Sequence, residues 1–299
     1  MGISTDLFFF IIDPPHLLKS LRNCLANSWA HSKSRKLWKN NEELKWTAIE
    51  KLQEEDAGNK FKTHKLTKAH VKLTAFSRMR VALACQALSM SVAEALERLR
   101  QDDRFKDIIS PELISYVKLC NTFFDCLNGS EDSSLRHKLV SELSPYTSIE
   151  DSRFEYLSKT VLGYFDEWLV EVNARRGKFS RKDRKRMFIS RESHESLHIT
   201  VHGFCGAVKY CLDKLNVSSI DARNFNQDKL EQEFGCFRMS EGAQNNPTLH
   251  RVVQRVMSRF VSKSAALPPK KGNTEARKRI LTLDEEPLMR KRRKEDGQK

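Results

Sequence analysis

The sequence lacks the long apolar segments of membrane proteins. A transmembrane helix needs roughly 20 consecutive apolar residues, and the apolar run at residues 7–12 is far shorter. That run has no basic lead and no cleavage site, unlike a secretory signal. Asp6 also breaks the N-myristoylation pattern. The sequence therefore predicts no membrane attachment.

Cysteine patterns for zinc and the usual phosphate-binding loop are also missing. The seven cysteines include no C-x-x-C pair and never approach the C-x₂₋₄-C plus H-x₃₋₅-H arrangement of a zinc finger. An odd number without a regular framework predicts reduced thiols and an intracellular protein. No G-x-x-x-x-G-K-[ST] loop is present, so a nucleotide would have to be held in another way.

Positive charge is what the sequence has in excess. The 53 Lys and Arg against 39 Asp and Glu give a formal net charge of +14. This favours contact with a polyanion, most simply nucleic acid, although moderately basic proteins of other kinds are common. Residues 262–299 hold 12 Lys and Arg against 6 Asp and Glu, with a compact basic run at residues 290–294. We predict a disordered tail with a nuclear-import signal; a merely solubilising tail is the alternative.

Apolar residues recur at helical spacing through the middle of the chain. Four such segments are residues 37–52, 72–99, 114–127 and 154–172. Turn-forming residues separate them at residues 57–59, 110–111, 129–134, 144–145 and around Gly177. The sequence predicts a mostly helical protein with one short strand near its start.

Acidic residues at two distant places have the spacing of metal ligands. Asp228 and Glu231 would share one face of a helix, where carboxylate oxygens suit Mg²⁺ or Mn²⁺. The run at residues 7–12 predicts a buried strand that delivers Asp13 at its tip, before two prolines end it. The alternatives are helix capping or solvation for the pair, and a helix N-cap for Asp13.

Short motifs in a fixed order give a recognisable set. They are DPPHLLKSLRN at residues 13–23, HKLTK at 64–68 with FSRMRV at 76–81, and FNQDKLE at 225–231 with NNPT at 245–248. In order and spacing these motifs resemble the P-element family of DNA transposases, which includes the THAP-domain transposase-like proteins of animals. The resemblance covers about residues 3–260.

The resemblance implies an α/β fold in which an RNase H-like core, incomplete here, is interrupted by a large all-α insertion domain that binds GTP. Residues 1–38 and 181–261 would form the two parts of the core. Residues 39–180 would form the insertion, and residues 262–299 the tail.

In that family a carboxylate triad holds divalent metal, cuts DNA and joins the ends. By motif match, Asp13 resembles the second carboxylate and Glu231 the third, with Asp228 as a neighbouring metal ligand. The first lies on an earlier strand than any in this sequence, and Asp6 cannot replace it because it shares the strand of Asp13. The family's zinc-coordinating THAP domain and coiled coil are also expected upstream. The resemblance thus predicts an N-terminally truncated or domesticated copy.

The nucleotide site rests on resemblance as well. Phe124, Asp125 and Asn128 resemble the family's guanine-recognition stretch, in which a carboxylate accepts from the base while an aromatic ring covers its face. Phe124 as a core residue and Asn128 as part of a helix C-terminal turn are the alternatives. Arg78 and Arg80 are candidate phosphate ligands by charge only.

Residues 175–186 form a basic stretch with eight Lys and Arg against one acid, Asp183. Such a density could neutralise several DNA phosphates. A solvated linker between domains explains it equally well.

Three histidines recur every four residues at His194, His198 and His202. On a helix this spacing would align their imidazoles, as zinc ligands could be aligned. We favour packing, because residues 193–204 resemble the family segment that re-enters the core, where this spacing has no metal role.

Two classes of function follow. The first is a transposase-type nuclease or strand-transfer core that uses Mg²⁺ or Mn²⁺ and GTP, with transposon-end DNA as partner and self-association in the full-length family. The second is a non-catalytic nuclear factor that binds DNA or protein, such as a transposase-derived repressor.

Overall fold

The computed structural model describes residues 7–29, 34–58, 63–137, 139–239 and 248–264. Contacts within the chain divide it into two compact units, one ending at Gln227 and the other beginning at Asp228. The predicted domain limits at residues 38, 180 and 261 stay predictions. The predicted basic tail lies outside the described residues from residue 265 onward.

Helices make up most of the described residues, which confirms the mostly helical prediction. In the first unit they are α1 (Pro14–Ala26), α2 (Thr47–Glu55), α3 (Lys68–Val71), α4 (Ala75–Met79), α5 (Val81–Ala87), α6 (Met90–Leu99), α7 (Pro111–Asn128), α8 (Glu131–Arg136), α9 (Ser152–Glu155), α10 (Leu162–Ala174), α11 (Arg181–Arg186) and α12 (Arg191–Asp213). In the second unit they are α13 (Asp228–Met239) and α14 (Leu249–Ser264). A π-helix, Tyr156–Val161, joins α9 to α10. Within the described part of the chain, no helix is long and apolar enough to cross a membrane.

The predicted helix over residues 37–52 is wrong in its first half. There β1 (Trp38–Lys39) and β2 (Glu42–Glu43) pair as an antiparallel hairpin, and α2 begins only after it. The turn residues Asn40 and Asn41 have φ angles of 49° and 61°. A two-residue hairpin turn needs this left-handed conformation, which asparagine adopts more easily than most residues. The chemistry of the turn therefore overrides the apolar spacing.

The predicted strand over residues 7–12 is also wrong. These residues form no strand, and the side chains of Phe8 and Phe10 are each 74% exposed. The N–H of Ile12 donates to Thr200 Oγ1 in α12, and the Thr200 hydroxyl donates back to the Ile12 carbonyl, both at 3.1 Å. An apolar run becomes a strand only beside another strand, and the one sheet among the described residues is the short hairpin. The RNase H-like core therefore stays a prediction.

Two glycines let this segment lie close to α12. A Cβ on Gly203 would overlap the carbonyl oxygen of Phe10 and lie 2.8 Å from its carbon. A Cβ on Gly206 would lie 2.7 Å from the ring of Phe9. Glycine removes the atom that would keep the two backbones apart. Helix α12 is thus the support on which the residues before Asp13 are held.

Aromatic side chains fill the centre of the first unit. Trp168 of α10 is fully buried, its indole N–H donates to the Trp38 carbonyl at 2.7 Å, and its ring stacks on Phe165. Tyr116 of α7 is equally buried and donates from its hydroxyl to the Leu21 carbonyl of α1 at 3.1 Å. Because each buried polar group has a partner, these rings contribute their full apolar area to stability. They join α1, α7, α10 and the hairpin into one core.

Candidate functional site

Asp13 is the N-cap of α1. Its carboxylate accepts from the backbone N–H of His16 at 3.2 Å, and the same oxygen, Oδ2, lies 2.5 Å from His16 Nδ1. The two prolines occupy the first positions of the helix, where a missing N–H costs nothing. The side chain is 6% exposed. The N-cap alternative is therefore what the local structure shows, with a histidine added to it.

The second oxygen of Asp13 reaches a distant motif. Oδ1 accepts from the backbone N–H of Gln227 at 2.8 Å, across 214 residues of sequence. Gln227 belongs to the FNQDKLE motif and directly precedes Asp228 in the chain. The structure thus places the first motif beside the beginning of the FNQDKLE motif.

Asp228 and Glu231 lie in the second unit, in the first turn of α13. Asp228 is half-buried and Glu231 is exposed. Acidic side chains in a first turn also stabilise a helix through its dipole, which is the alternative interpretation. Their geometry with Asp13 stays a prediction.

The predicted guanine-binding residues lie at the C-terminal end of α7. Asp125 accepts from the Asn121 amide at 2.7 Å, and Asn128 Oδ1 accepts from the Asn226 amide at 3.2 Å. Phe124 is half-buried against the core. Burial raises the pKa of Asp125 to about 6; the Asn121 hydrogen bond lowers this pKa and nearby Glu142 raises it further. The carboxylate is therefore mostly ionised at neutral pH, and burying this charge lowers the stability of the fold.

Asp125→Asn is expected to stabilise the fold at pH 7 by an amount on the order of 2–3 kcal/mol, since each pKa unit is worth about 1.4 kcal/mol. The folded chain holds this proton more tightly than the unfolded chain. Stability from this group is therefore fully present below the unfolded pKa and is lost as pH rises through about 6. Urea unfolding of both proteins at pH 7.5 and near pH 4 (roughly the unfolded Asp pKa) tests this. A gain that is the same at both pH values contradicts the assignment.

Arg22 is a cation that sequence analysis missed. Its side chain is fully buried and donates from Nη2 to the carbonyls of Ser77 and Arg78, at 3.4 and 3.0 Å. Among the described residues, its Nε and Nη1 have no hydrogen-bond partner. Burial, and then the charge of Arg78, lower its pKa to about 10. An unsatisfied buried guanidinium is the kind of group that an anion completes. Arg80 is exposed and Arg78 is half-buried.

The basic stretch is partly structural and partly free for contact. Arg175 lies over the Trp38 ring at 4.0 Å, and Arg184 donates to the carbonyls of Val172 and Arg175. Asp183 caps α11 through Ser180. The exposed members of the stretch are Arg176, Lys178, Arg181, Lys182 and Lys185. This segment is therefore a folded surface rather than only a linker.

Two of the three spaced histidines meet an acid from another helix. His194 and His198 of α12 both place Nε2 on Asp166 Oδ1 of α10, at 2.8 and 2.9 Å. His202 is exposed and is not part of this cluster. The packing interpretation omitted the carboxylate, which no motif of the sequence marks. These three side chains could hold a metal ion.

Comparison with known families bears on the first part of the chain. Residues 15–139 match the family described as the TNP-like, GTP-binding insertion domain. That stretch contains Arg22 and the predicted guanine-binding residues of α7. No curated protein matches the chain.

Comparison with solved structures bears on the fold. The chain is similar to the P element transposase of Drosophila in its strand transfer complex, with a TM-score of 0.64 and 19% sequence identity. The similarity covers 86% of this chain and 52% of that one, so this chain spans about half the length of the transposase chain. At this identity the likeness shows the fold. The chain therefore shares the fold of about half of that transposase chain and carries a stretch similar to GTP-binding insertion domains.

Proposed function

We propose that this chain is a transposase-type, GTP-binding nuclear protein that acts on DNA, with Asp13, Asp228 and Glu231 as ligands of Mg²⁺ or Mn²⁺. The observation that carries the proposal is the hydrogen bond from the Gln227 N–H to Asp13, 214 residues earlier. The contact lies within the first unit and places Asp13 beside the residue that directly precedes Asp228 in the chain.

The state of Asp13 suits a metal ligand. His16 and the Gln227 N–H fix both carboxylate oxygens, so the side chain is oriented before an ion arrives. Carboxylate oxygens are the ligands that Mg²⁺ and Mn²⁺ prefer, and two such ions bind the attacking and leaving oxygens of a phosphodiester. In the proposed RNase H-like core, Glu231 is the third carboxylate of the triad.

GTP binding by the helical insertion is supported by the family match at residues 15–139. In the proposed site Asp125 accepts from guanine, Phe124 covers the base and Asn128 flanks it. The buried guanidinium of Arg22 lies in the stretch that matches this family, before the predicted insertion at residues 39–180, and among the described residues two of its nitrogens have no hydrogen-bond partner, which an anion would satisfy. We also propose self-association, on the family resemblance alone.

DNA is the proposed partner. The exposed cations of the stretch at residues 175–186 present charge on a folded surface, which suits phosphate contacts in a salt-dependent manner. The similar solved structure is a strand transfer complex of a transposase.

The same Asp13 geometry also favours the second candidate function. Both oxygens of Asp13 already have partners within the protein. A carboxylate that works as an N-cap contributes about 1 kcal/mol to the fold without any metal. A DNA-binding factor that has lost catalysis would keep Asp13 for this reason.

We expect the purified chain to bind duplex DNA but not to cut it in Mn²⁺. The resemblance assigns it two of the three triad positions, and the chemistry needs two ions held about 4 Å apart. Asp13→Asn and Glu231→Gln should each weaken Mn²⁺ binding, measured by electron paramagnetic resonance. Glu233→Gln is the matched control, because it lies two residues along α13, about 200° around the helix from Glu231.

The outcomes separate the two candidates. Metal-dependent cleavage that Glu231→Ala abolishes would overturn the expectation of no cutting and favour the catalyst. Mn²⁺ binding that neither Asp13→Asn nor Glu231→Gln changes would remove the metal site and leave the non-catalytic factor.

A further inference from the structure

The cluster of Asp166, His194 and His198 has the composition of a transition-metal site. The two histidines lie four residues apart on α12, so their rings share one face of the helix, with centroids 4.8 Å apart. Asp166 comes from α10, a separate helix packed on α12. Three donor atoms, one from each residue, lie within 4.8 Å of one another.

The surroundings of the cluster leave one side open. The side chain of His194 is 14% exposed and packs edge-on against Phe188, while His198 is 32% and Asp166 is 49% exposed. The buried side orients the imidazoles, and the exposed side admits water. A site with three protein ligands and room for water is the usual arrangement when zinc keeps an open position.

We propose that Asp166, His194 and His198 bind one Zn²⁺ ion. In a tetrahedral site with metal–ligand bonds near 2.0–2.1 Å, donor atoms lie roughly 3.3 Å apart. The two Nε2–Oδ1 distances of 2.8 and 2.9 Å must therefore lengthen by about half an ångström, and side-chain torsions can absorb this. The ion takes the place of the hydrogen atoms now shared between the imidazoles and the carboxylate.

Ligand chemistry separates this site from the all-carboxylate site of the proposed function. Imidazole nitrogen favours zinc, copper, iron and nickel ions, whereas Mg²⁺ and Mn²⁺ prefer oxygen. The zinc proposal does not depend on the proposed function, since it uses none of Asp13, Asp228 or Glu231.

The ion would fasten α10 to α12. Thr200, two residues beyond His198, holds both backbone groups of Ile12, the residue before Asp13. A cross-link at His194 and His198 therefore fixes the part of α12 on which the Asp13 segment depends. The site has a positioning role in the fold.

Zinc titration of the whole chain by calorimetry, with Co²⁺ absorption as a readout of tetrahedral nitrogen and oxygen ligands, tests the proposal. We expect one Zn²⁺ per chain, with excess Mg²⁺ failing to compete. His194→Ala, His198→Ala and Asp166→Ala should each weaken binding by more than about 100-fold, since loss of an outer partner alone typically costs 10–100-fold. His202→Ala, on the same helix but outside the cluster, should bind as the wild type does.

A second variant guards against misfolding. Zinc should raise the Tm of the wild type, because it binds the folded chain. His198→Gln keeps a group that can donate to Asp166 but has no imidazole. It should therefore fold and yet lose both the zinc affinity and the rise in Tm. Zinc binding that survives in His198→Gln and His194→Ala comes from other groups, such as the cysteines, and overturns the proposal. Absence of zinc binding by the folded wild type overturns it equally.

Discussion

The chain should bind GTP at least about tenfold more tightly than ATP, and Asp125→Ala should remove the difference. A carboxylate that accepts from the N1–H and the C2 amino group of guanine meets, on adenine, an acceptor nitrogen at N1 and only a C–H at C2. Each lost hydrogen bond to a charged group is worth roughly 1–3 kcal/mol, or about 5- to 150-fold in affinity. Calorimetry with both nucleotides on both proteins measures the preference.

The pKa of Asp125 adds a pH signature to this result. Only the ionised carboxylate can accept both hydrogen bonds of guanine, and burial raises its pKa to about 6. The preference for GTP should therefore weaken as pH falls through about 6. Glu97→Ala, which removes an exposed carboxylate paired with Lys118 in the same region, is the control and should change neither affinity. Equal affinity for GTP and ATP in the folded wild type would leave the helical region without a guanine-binding role for Asp125.

Gly203→Ala should detach the segment that precedes Asp13 from α12. The new methyl group would overlap the carbonyl of Phe10, so the segment must shift and give up the two hydrogen bonds between Ile12 and Thr200. Overpacking of this kind costs about 1–3 kcal/mol. Hydrogen exchange of the Ile12 amide, which donates to Thr200, should become much faster.

Gly163→Ala is the matched control. Nothing lies within 4 Å of a Cβ at Gly163 in α10. Replacing an unobstructed helical glycine should stabilise the fold by about 0.5–1 kcal/mol and leave exchange at Ile12 unchanged. If Gly203→Ala also leaves that exchange unchanged, the segment does not depend on the close approach to α12.

Long stretches of helical periodicity were the most predictable part of the fold. The segments at residues 114–127 and 154–172 correspond to α7 and to the continuous helical run that ends with α10. Both carry apolar residues over many turns, so the signal is repeated. The segment at residues 72–99 shows the limit. Three short helices, α4 to α6, replace one long helix there, because a local cap competes, as Thr74 does by accepting from the Ser77 N–H.

Features that depend on distant partners were not predictable. Residues 7–12 have the composition of a strand, yet their structure depends on glycines about 190 residues later in α12. The histidine spacing was visible, but Asp166 lies 28 residues before His194, with no pattern to connect them. The sequence can mark the spaced histidines as candidate metal ligands. Only the packing of α10 on α12 shows that Asp166 lies beside them.

The hydrogen bond between Asp13 and Gln227 also sets an order of events during synthesis. The two partners lie 214 positions apart, so at about 5–20 residues per second Asp13 is made about 10–40 s before Gln227. For most of that interval neither α12 nor Gln227 has been made. The apolar residues just before Asp13 then have no helix to pack against. The nascent chain therefore leaves the half-buried members of this segment, Phe9, Ile11 and Ile12, exposed until almost the whole first unit has been made, and chaperone binding there would protect it from aggregation.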